Sequence, residues 1–264
     1  MIVIGIYDGH NASASLSIDG KIICAIQEER FTKRKNETGF PINVVQYLMN
    51  KYSLSNINID IVAMSTIERT HVGYYKYPVD TVFSINDHID MMNNYWNPKI
   101  SGQEYSKSYI KDVFEKKYPK EKLLYEIPDS YYDLSIDGRQ KGITDITIDM
   151  VSKIMNIDKS KIKFYDHHTC HIMYGHYANT NKKDKTIGIT IDAYGDECNQ
   201  TIWMINKDKF ELITKSRQCE IARLYKMVTL YLRMKPLEHE YKVMGLAPYS
   251  KDFYAKAVEE ELDD

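Results

Sequence analysis

Along the chain, hydrophobic and polar positions alternate with two different periods. Residues 2–7 (IVIGIY) form a short apolar run that stops at Asp8-Gly9, a strand followed by a turn. Residues 12–18 (ASASLSI) alternate small or polar with apolar, and Asp19-Gly20 is a two-residue hairpin signal. Residues 21–27 (KIICAIQ) complete a three-stranded antiparallel meander. The stretch EERFTKRKNETGFP reads as a charged loop broken by Gly39 and Pro41; 42–51 carry helical spacing, and 59–65 read as a buried strand. From about 66 to 143 clean periodicity is lost in a run rich in Tyr, Asn, Asp, Lys and Ser, with a helix expected near 104–117. Pattern returns as a helix at 144–156 and a short strand at 161–165.

The second half repeats the opening. Residues 186–192 (TIGITID) form an apolar strand ending at Asp192, followed by an Ala193-Tyr194-Gly195-Asp196 turn, a strand at 200–205, a turn at 206–208 and a strand at 210–216. A helix is expected at about 221–233. Strand, Asp-bearing turn, strand, hairpin, strand thus occurs twice, which indicates an internal duplication. This matches the two-lobed α/β nucleotide-binding folds of actin, sugar kinases and chaperone ATPases, a ribonuclease H-like architecture. The expected division is a first lobe over 1–185, with the 66–143 segment inserted, and an incomplete second lobe over 186–264. Such a lobe leaves a sheet edge and an apolar face uncovered.

Composition narrows the function classes. The chain has 264 residues, 43% of them hydrophobic and 27% charged, as in ordinary globular proteins. Its 35 Lys plus Arg nearly balance 37 Asp plus Glu, so charge gives no argument for nucleic acid or an anionic membrane as partner. No apolar run approaches the ~18 residues of a spanning helix. The start, MIVIGIYDGH, lacks a basic region and a cleavage site, so a cytoplasmic location is expected. Cys24, Cys170, Cys198 and Cys219 form no CxxC pair, so neither a zinc ribbon nor a disulfide framework is expected.

Candidate chemistry concentrates in DHHTCH, residues 166–171. On a helix His167 and His171 stand one turn apart on one face, the arrangement in which two imidazoles chelate a transition metal. His168 falls elsewhere, as a support to the ligands or a substrate contact, and Cys170 reads as packing. The two Asp-bearing turns are the second constellation. Gly9 and Gly195 permit close backbone approach, amides near Asn11 and Asp196 can cradle phosphate, and Asp8 or Asp192 can accept a proton. Four cations at Arg30, Lys33, Arg34 and Lys35 suit either phosphate or a solvated basic loop.

YDGHNASASL, QEERFTKRK with GFP after it, DHHTCH, the strand ending IDAYGD, and EYKVMGLAPY follow one another between residues 2 and 249. Together they resemble the O-carbamoyltransferases of the nodulation, cephem and aminoglycoside type, in their threonylcarbamoyl-adenosine-protein-like amino-terminal domain. The resemblance implies carbamoyl transfer from carbamoyl-adenylate, made from carbamoyl phosphate and ATP, to the hydroxyl of a sugar or small metabolite. It also implies Fe(II), or another divalent transition metal, on His167 and His171, with a third ligand, an aspartate, beyond this chain. Asp8 and Asp192 match acidic residues beside the adenylate, His10 shares the first loop, and Lys35 matches the lysine after Arg-Phe-Thr. Asn11 and Ala193 depart from the family pattern of Asp and Gly. A carboxy-terminal adenylate-forming domain, in cis or in trans, is the implied partner. The other readings are a sugar kinase or ATPase of the same fold, and a non-catalytic fragment that binds nucleotide or a partner.

Overall fold

A computed structural model describes residues 1–181 and 183–251. The first sheet has five strands: β1 (Ile2–Tyr7), β2 (Ser13–Ile18), β3 (Lys21–Gln27), β4 (Ile61–Met64) and β5 (Ile162–Phe164), in the order β3-β2-β1-β4-β5. β1, β2 and β3 form the expected antiparallel meander, while β4 and β5 add parallel to β1. One face of this sheet, with Ile4, Ile6, Ala14, Leu16, Val62 and Met64, packs against the helices Ile42–Lys51 and Ile136–Met155. Alternation along each strand places these residues on one side.

Local chemistry sets the helix boundaries. Ile42–Lys51 buries Val44, Val45 and Leu48 on one stripe. Its first amides are met by buried Glu28, whose carboxylate accepts from the Asn43 and Val44 backbone at 3.0 Å each. A carboxylate there offsets both unpaired donors and the helix dipole. The helix expected at 144–156 begins eight residues earlier, at Ile136, because the Ser135 side chain caps Gly138. Gly142, within this helix, leaves room for the Tyr131 ring: an added Cβ there would lie 2.7 Å from its nearest atom.

Between 66 and 143 the chain forms short helical turns around two small aromatic clusters. One gathers Tyr77, Phe83 and Phe114; the other gathers Tyr125, Ile127 and Ile143. The helix expected near 104–117 is shorter, Tyr109–Lys117, and the charged loop contains a short helix, Glu29–Thr32.

The second sheet is an antiparallel meander of β6 (Lys185–Gly195), β7 (Cys198–Asn206) and β8 (Lys209–Ser216). It repeats β1 to β3, as the duplicated pattern requires. Asp192 departs from expectation: it lies within β6, and the strand continues to Gly195. Pairing with β7 shifts between Ile191 and Gly195, so the bulge bends the strand at the aspartate and re-aims it. Ile187, Ile189 and Ile191 of β6 are exposed. The helices His167–Ala178 and Ile221–Tyr231 both pack on β6. Among the described residues no helix is long and apolar enough to cross a membrane.

Candidate metal centre and its surroundings

Helix His167–Ala178 starts at Asp166, whose side chain caps Thr169 through its amide (2.7 Å) and hydroxyl (2.8 Å). That cap fixes the first turn, so His167 and His171 project together, with their Nε2 atoms 3.0 Å apart. The bulge brings Asp192 to them, its Oδ2 lying 2.6 Å from His167 Nε2 and 3.5 Å from His171 Nε2. The other oxygen, Oδ1, accepts from the Ala193 amide at 2.6 Å, which orients the carboxylate. One candidate ligand atom from each of the three residues lies within 4.8 Å of the others.

The donor set fits a divalent transition metal. Imidazole and carboxylate ligands at roughly 2.0–2.2 Å suit tetrahedral and related sites. His167 Nε2 carries one hydrogen at most and lies within hydrogen-bond distance of both the Asp192 carboxylate and His171 Nε2; a cation satisfies all three atoms at once. Burial opposes charge on His167, but the Asp192 hydrogen bond and the charges of Asp192, Asp196 and Asp166 outweigh it and raise its pKa. Burial likewise opposes ionisation of Asp192, yet its bonds to His167 and His171 hold it well below the usual carboxylate range. A third candidate ligand therefore lies within this chain, where the resemblance had placed one beyond it.

Neighbouring residues fix the geometry. Asp196 is a clamp: its carboxylate accepts from the amides of Ile67 (3.0 Å), Glu68 (2.6 Å) and His167 (2.6 Å), joining the turn after β6 to two other segments. Its carboxylate is thereby committed to backbone amides. His168 is fully buried, with Nδ1 2.7 Å from the Thr190 hydroxyl and Nε2 3.1 Å from the Cys198 carbonyl, so it ties the helix to the second sheet and touches no cleft. Burial pushes the Cys170 thiol up to about 11, consistent with packing.

The first turn behaves differently from its counterpart. Asp8 is buried and pairs with wholly buried Arg69 at 2.8 and 3.3 Å, and the Tyr125 hydroxyl also donates to it. Asp8, read from its turn as a proton acceptor, is instead covered by an arginine from the 66–143 segment. His10 Nδ1 is 3.2 Å from the Tyr7 hydroxyl, and the Tyr7 ring lies 6.4 Å from that of His167, so Tyr7 links the first turn to the histidines. Gly9 packs on Tyr7, where a Cβ would come within 2.5 Å of the phenol oxygen. Asn11 adopts positive φ (58°) and lines a cavity of about 530 Å³ with Arg30, Lys35 and His239. Lys35 is 3.4 Å from Glu29. The structure thus gathers His167, His171 and Asp192 at one point, and Asn11 and Lys35 at another.

A family model described as carbamoyltransferase N-terminus matches residues 2–262. The chain belongs to this carbamoyltransferase family. It is 24% identical to the uncharacterized protein MJ1051 of Methanocaldococcus jannaschii over 249 residues, covering 94% of this chain and 33% of that protein. To the uncharacterized protein sll1178 of Synechocystis it is 23% identical over 264 residues, covering 97% of this chain and 35% of the relative. The chain spans about a third of the length of these curated relatives.

Arg69 and Glu28 were not singled out by sequence reading. Glu28 could have been found as the acid before a helix whose own first turn offers no cap; Arg69 carries no local signal, since its partner is 61 residues away.

Proposed function

We propose that this chain forms the acceptor side of an O-carbamoyltransferase, with a divalent metal, Fe(II) by resemblance, held by His167, His171 and Asp192. The observation that carries the metal reading is the convergence of the three ligand atoms on a capped helix start and a strand bulge. The strand order β3-β2-β1-β4-β5 and the repeated meander support the two-lobed ribonuclease H-like architecture.

Carbamoyl transfer forms a bond from the acceptor oxygen to the carbamoyl carbon and breaks the bond from that carbon to the phosphate oxygen, releasing AMP. A metal held by His167, His171 and Asp192 would supply Lewis-acid polarisation of the carbamoyl oxygen. The chain's residues must place the donor and take the hydroxyl proton. Lys35, Arg30 and Asn11 line the cavity that suits the phosphate end of carbamoyl-adenylate. In the tautomer that donates Nδ1–H to the Tyr7 oxygen, 3.2 Å away, His10 keeps an Nε2 lone pair for the acceptor's proton. Formation of the adenylate from carbamoyl phosphate and ATP is assigned to residues outside this chain, in cis or in trans.

The test is iron content after anaerobic reconstitution of wild type and His171→Ala. Near-stoichiometric iron in wild type and a large loss in the variant are expected; equal iron in both overturns the assignment.

A further inference from the structure

A second cavity, of about 350 Å³, opens within the 66–143 segment and reaches the turn after β6. Three of the cations lining it, Lys99, Lys107 and Arg139, have no carboxylate within ion-pair distance among the described residues. Lys99 instead lies over the rings of Tyr95 and Trp96, at 5.2 and 4.9 Å, and donates to the Tyr95 hydroxyl at 3.4 Å; among the described residues Arg139 reaches only the Thr70 carbonyl, at 3.4 Å. Burial and nearby Arg139 both lower the Lys99 pKa, so the two cations repel across the cavity.

The acids present are already engaged. Glu68 accepts from the Thr70 hydroxyl and the Glu197 amide, while Glu197 pairs with Arg217. Two buried polar atoms of lining side chains, the Tyr132 hydroxyl and Arg139 Nε, have no hydrogen-bond partner. Such atoms are normally satisfied, and both belong to side chains that line the cavity. The walls otherwise carry Tyr74 and Tyr194, the latter with Arg223 over one face at 5.3 Å, while the Tyr95 ring is already faced by Lys99 and stacked on Tyr109. Tyrosine faces pack against the apolar faces of sugar rings, and their hydroxyls reach ring substituents. The volume, near the lower end for ligand sites, suits one ring with a charged substituent.

We infer that this cavity binds an anionic sugar, a pyranose bearing a carboxylate or a phosphate, with Lys99 and Arg139 on the charge and tyrosines on the ring. Resting on the carbamoyl-transfer reading, this sugar is the acceptor. Tyr194 and Glu197 line the cavity, while Gly195 between them packs against the His167 ring, so a single turn separates it from the metal centre.

Binding to the metal-free 264-residue chain would be measured by calorimetry with glucuronate, glucose-1-phosphate, glucose and inorganic phosphate. At least one anionic sugar should bind about ten-fold or more tightly than glucose and than inorganic phosphate, and the two sugar arms show which anion is taken. Lys99→Met and Arg139→Gln should each weaken that sugar about ten-fold while leaving glucose unchanged. Equal binding of charged and neutral sugars, phosphate binding as tightly as the sugar phosphate, or wild-type affinity in a folded variant overturns the inference. Should Arg139→Gln fail to fold, the wild-type ligand comparison and Lys99→Met still decide. The assay needs neither metal nor turnover, so failure of the transferase reading is separately visible.

Discussion

The carboxylate of Asp8, at the end of β1, receives both terminal nitrogens of Arg69, and neither side chain reaches solvent. Burial opposes the charge on Arg69, but Asp8 and the nearby Tyr75 and Tyr125 outweigh it and keep the guanidinium charged. The pair fastens the 66–143 segment to the central strand of the first sheet. Its partners are conditional on each other, because either charge left alone in the interior is costly.

Asp8→Asn or Arg69→Met should therefore destabilise the chain by about 3–5 kcal/mol. The double variant should cost less than the sum of the singles, since the unpaired charge is then gone. Denaturant unfolding measures all three. A loss below about 1 kcal/mol in both single variants would show that the pair is not fastening the segment.

Asp192 and Asp196 are separated by one bulge but bonded to different things. Asp192→Ala should reduce Co(II) or Fe(II) binding at least ten-fold with a small change in melting. Asp196→Ala removes the acceptor of three amides and should lower the melting temperature first, by the cost of unsatisfied backbone donors, about 1–3 kcal/mol each if they stay dry. Melting and metal titration on the same preparations separate the roles. If Asp192→Ala binds metal like wild type, the cluster is not the site.

Two neighbouring buried groups contribute to the acid response. Burial lowers the His88 pKa from 6.5 to about 4. Its stabilising contribution is complete above about 6.5, the unfolded value, and is lost as pH falls towards 4. Burial opposes ionisation of Asp87, but bonds from Lys117, Ser84 and Tyr118 hold it well below the usual range. Its contribution is present above about 3.9 and is lost as pH falls further. Stability should thus decline in two stages on acidification. His88→Leu should flatten the first, whose ceiling is about 1.4 kcal/mol per pH unit. Asp87→Asn should be less stable than wild type at neutral pH, with the gap closing below about pH 4. Because the raised His167 pKa opposes this loss in the same window, the comparison is between proteins: an identical pH slope from 7 to 4.5 in wild type and His88→Leu would contradict the first stage.

Much of the scaffold was legible because strand and helix periods are local. β1, β3 and the helix Ile42–Lys51 lie where alternation and helical spacing place them. Both meanders follow from hairpin signals, and the one-turn spacing of His167 and His171 holds on a real helix. Errors arose where a distant side chain decided the outcome. Asp8 reads as a turn carboxylate until Arg69 covers it. Asp192 was recognised, but its place beside the histidines depends on a bulge that the strand's own sequence does not announce. The aromatic 66–143 segment stayed unread because its clusters are held by packing between short turns, with no repeating period.

Gly195 offers a test of how closely the metal centre depends on its backing. A Cβ at this position would lie 2.2 Å from His167 Cδ2, well inside contact distance, against a ring already held by its backbone bond to Asp196 and its bond to Asp192. Gly195→Ala must therefore turn the His167 ring or push the strand end away, and either move separates Nε2 from its two partners. Metal affinity should fall about 10- to 100-fold, the range for a disturbed support of a ligand histidine. Gly175→Ala in the helix carrying the histidines is the matched control, since an added Cβ there meets nothing within 4 Å. That change should leave metal binding intact and raise stability by up to about 1 kcal/mol through helix propensity. Co(II) titration followed by visible absorption, with thermal melts alongside, reads both effects. Wild-type affinity in a folded Gly195→Ala protein would mean that His167 is not a ligand or that its ring is free to rotate.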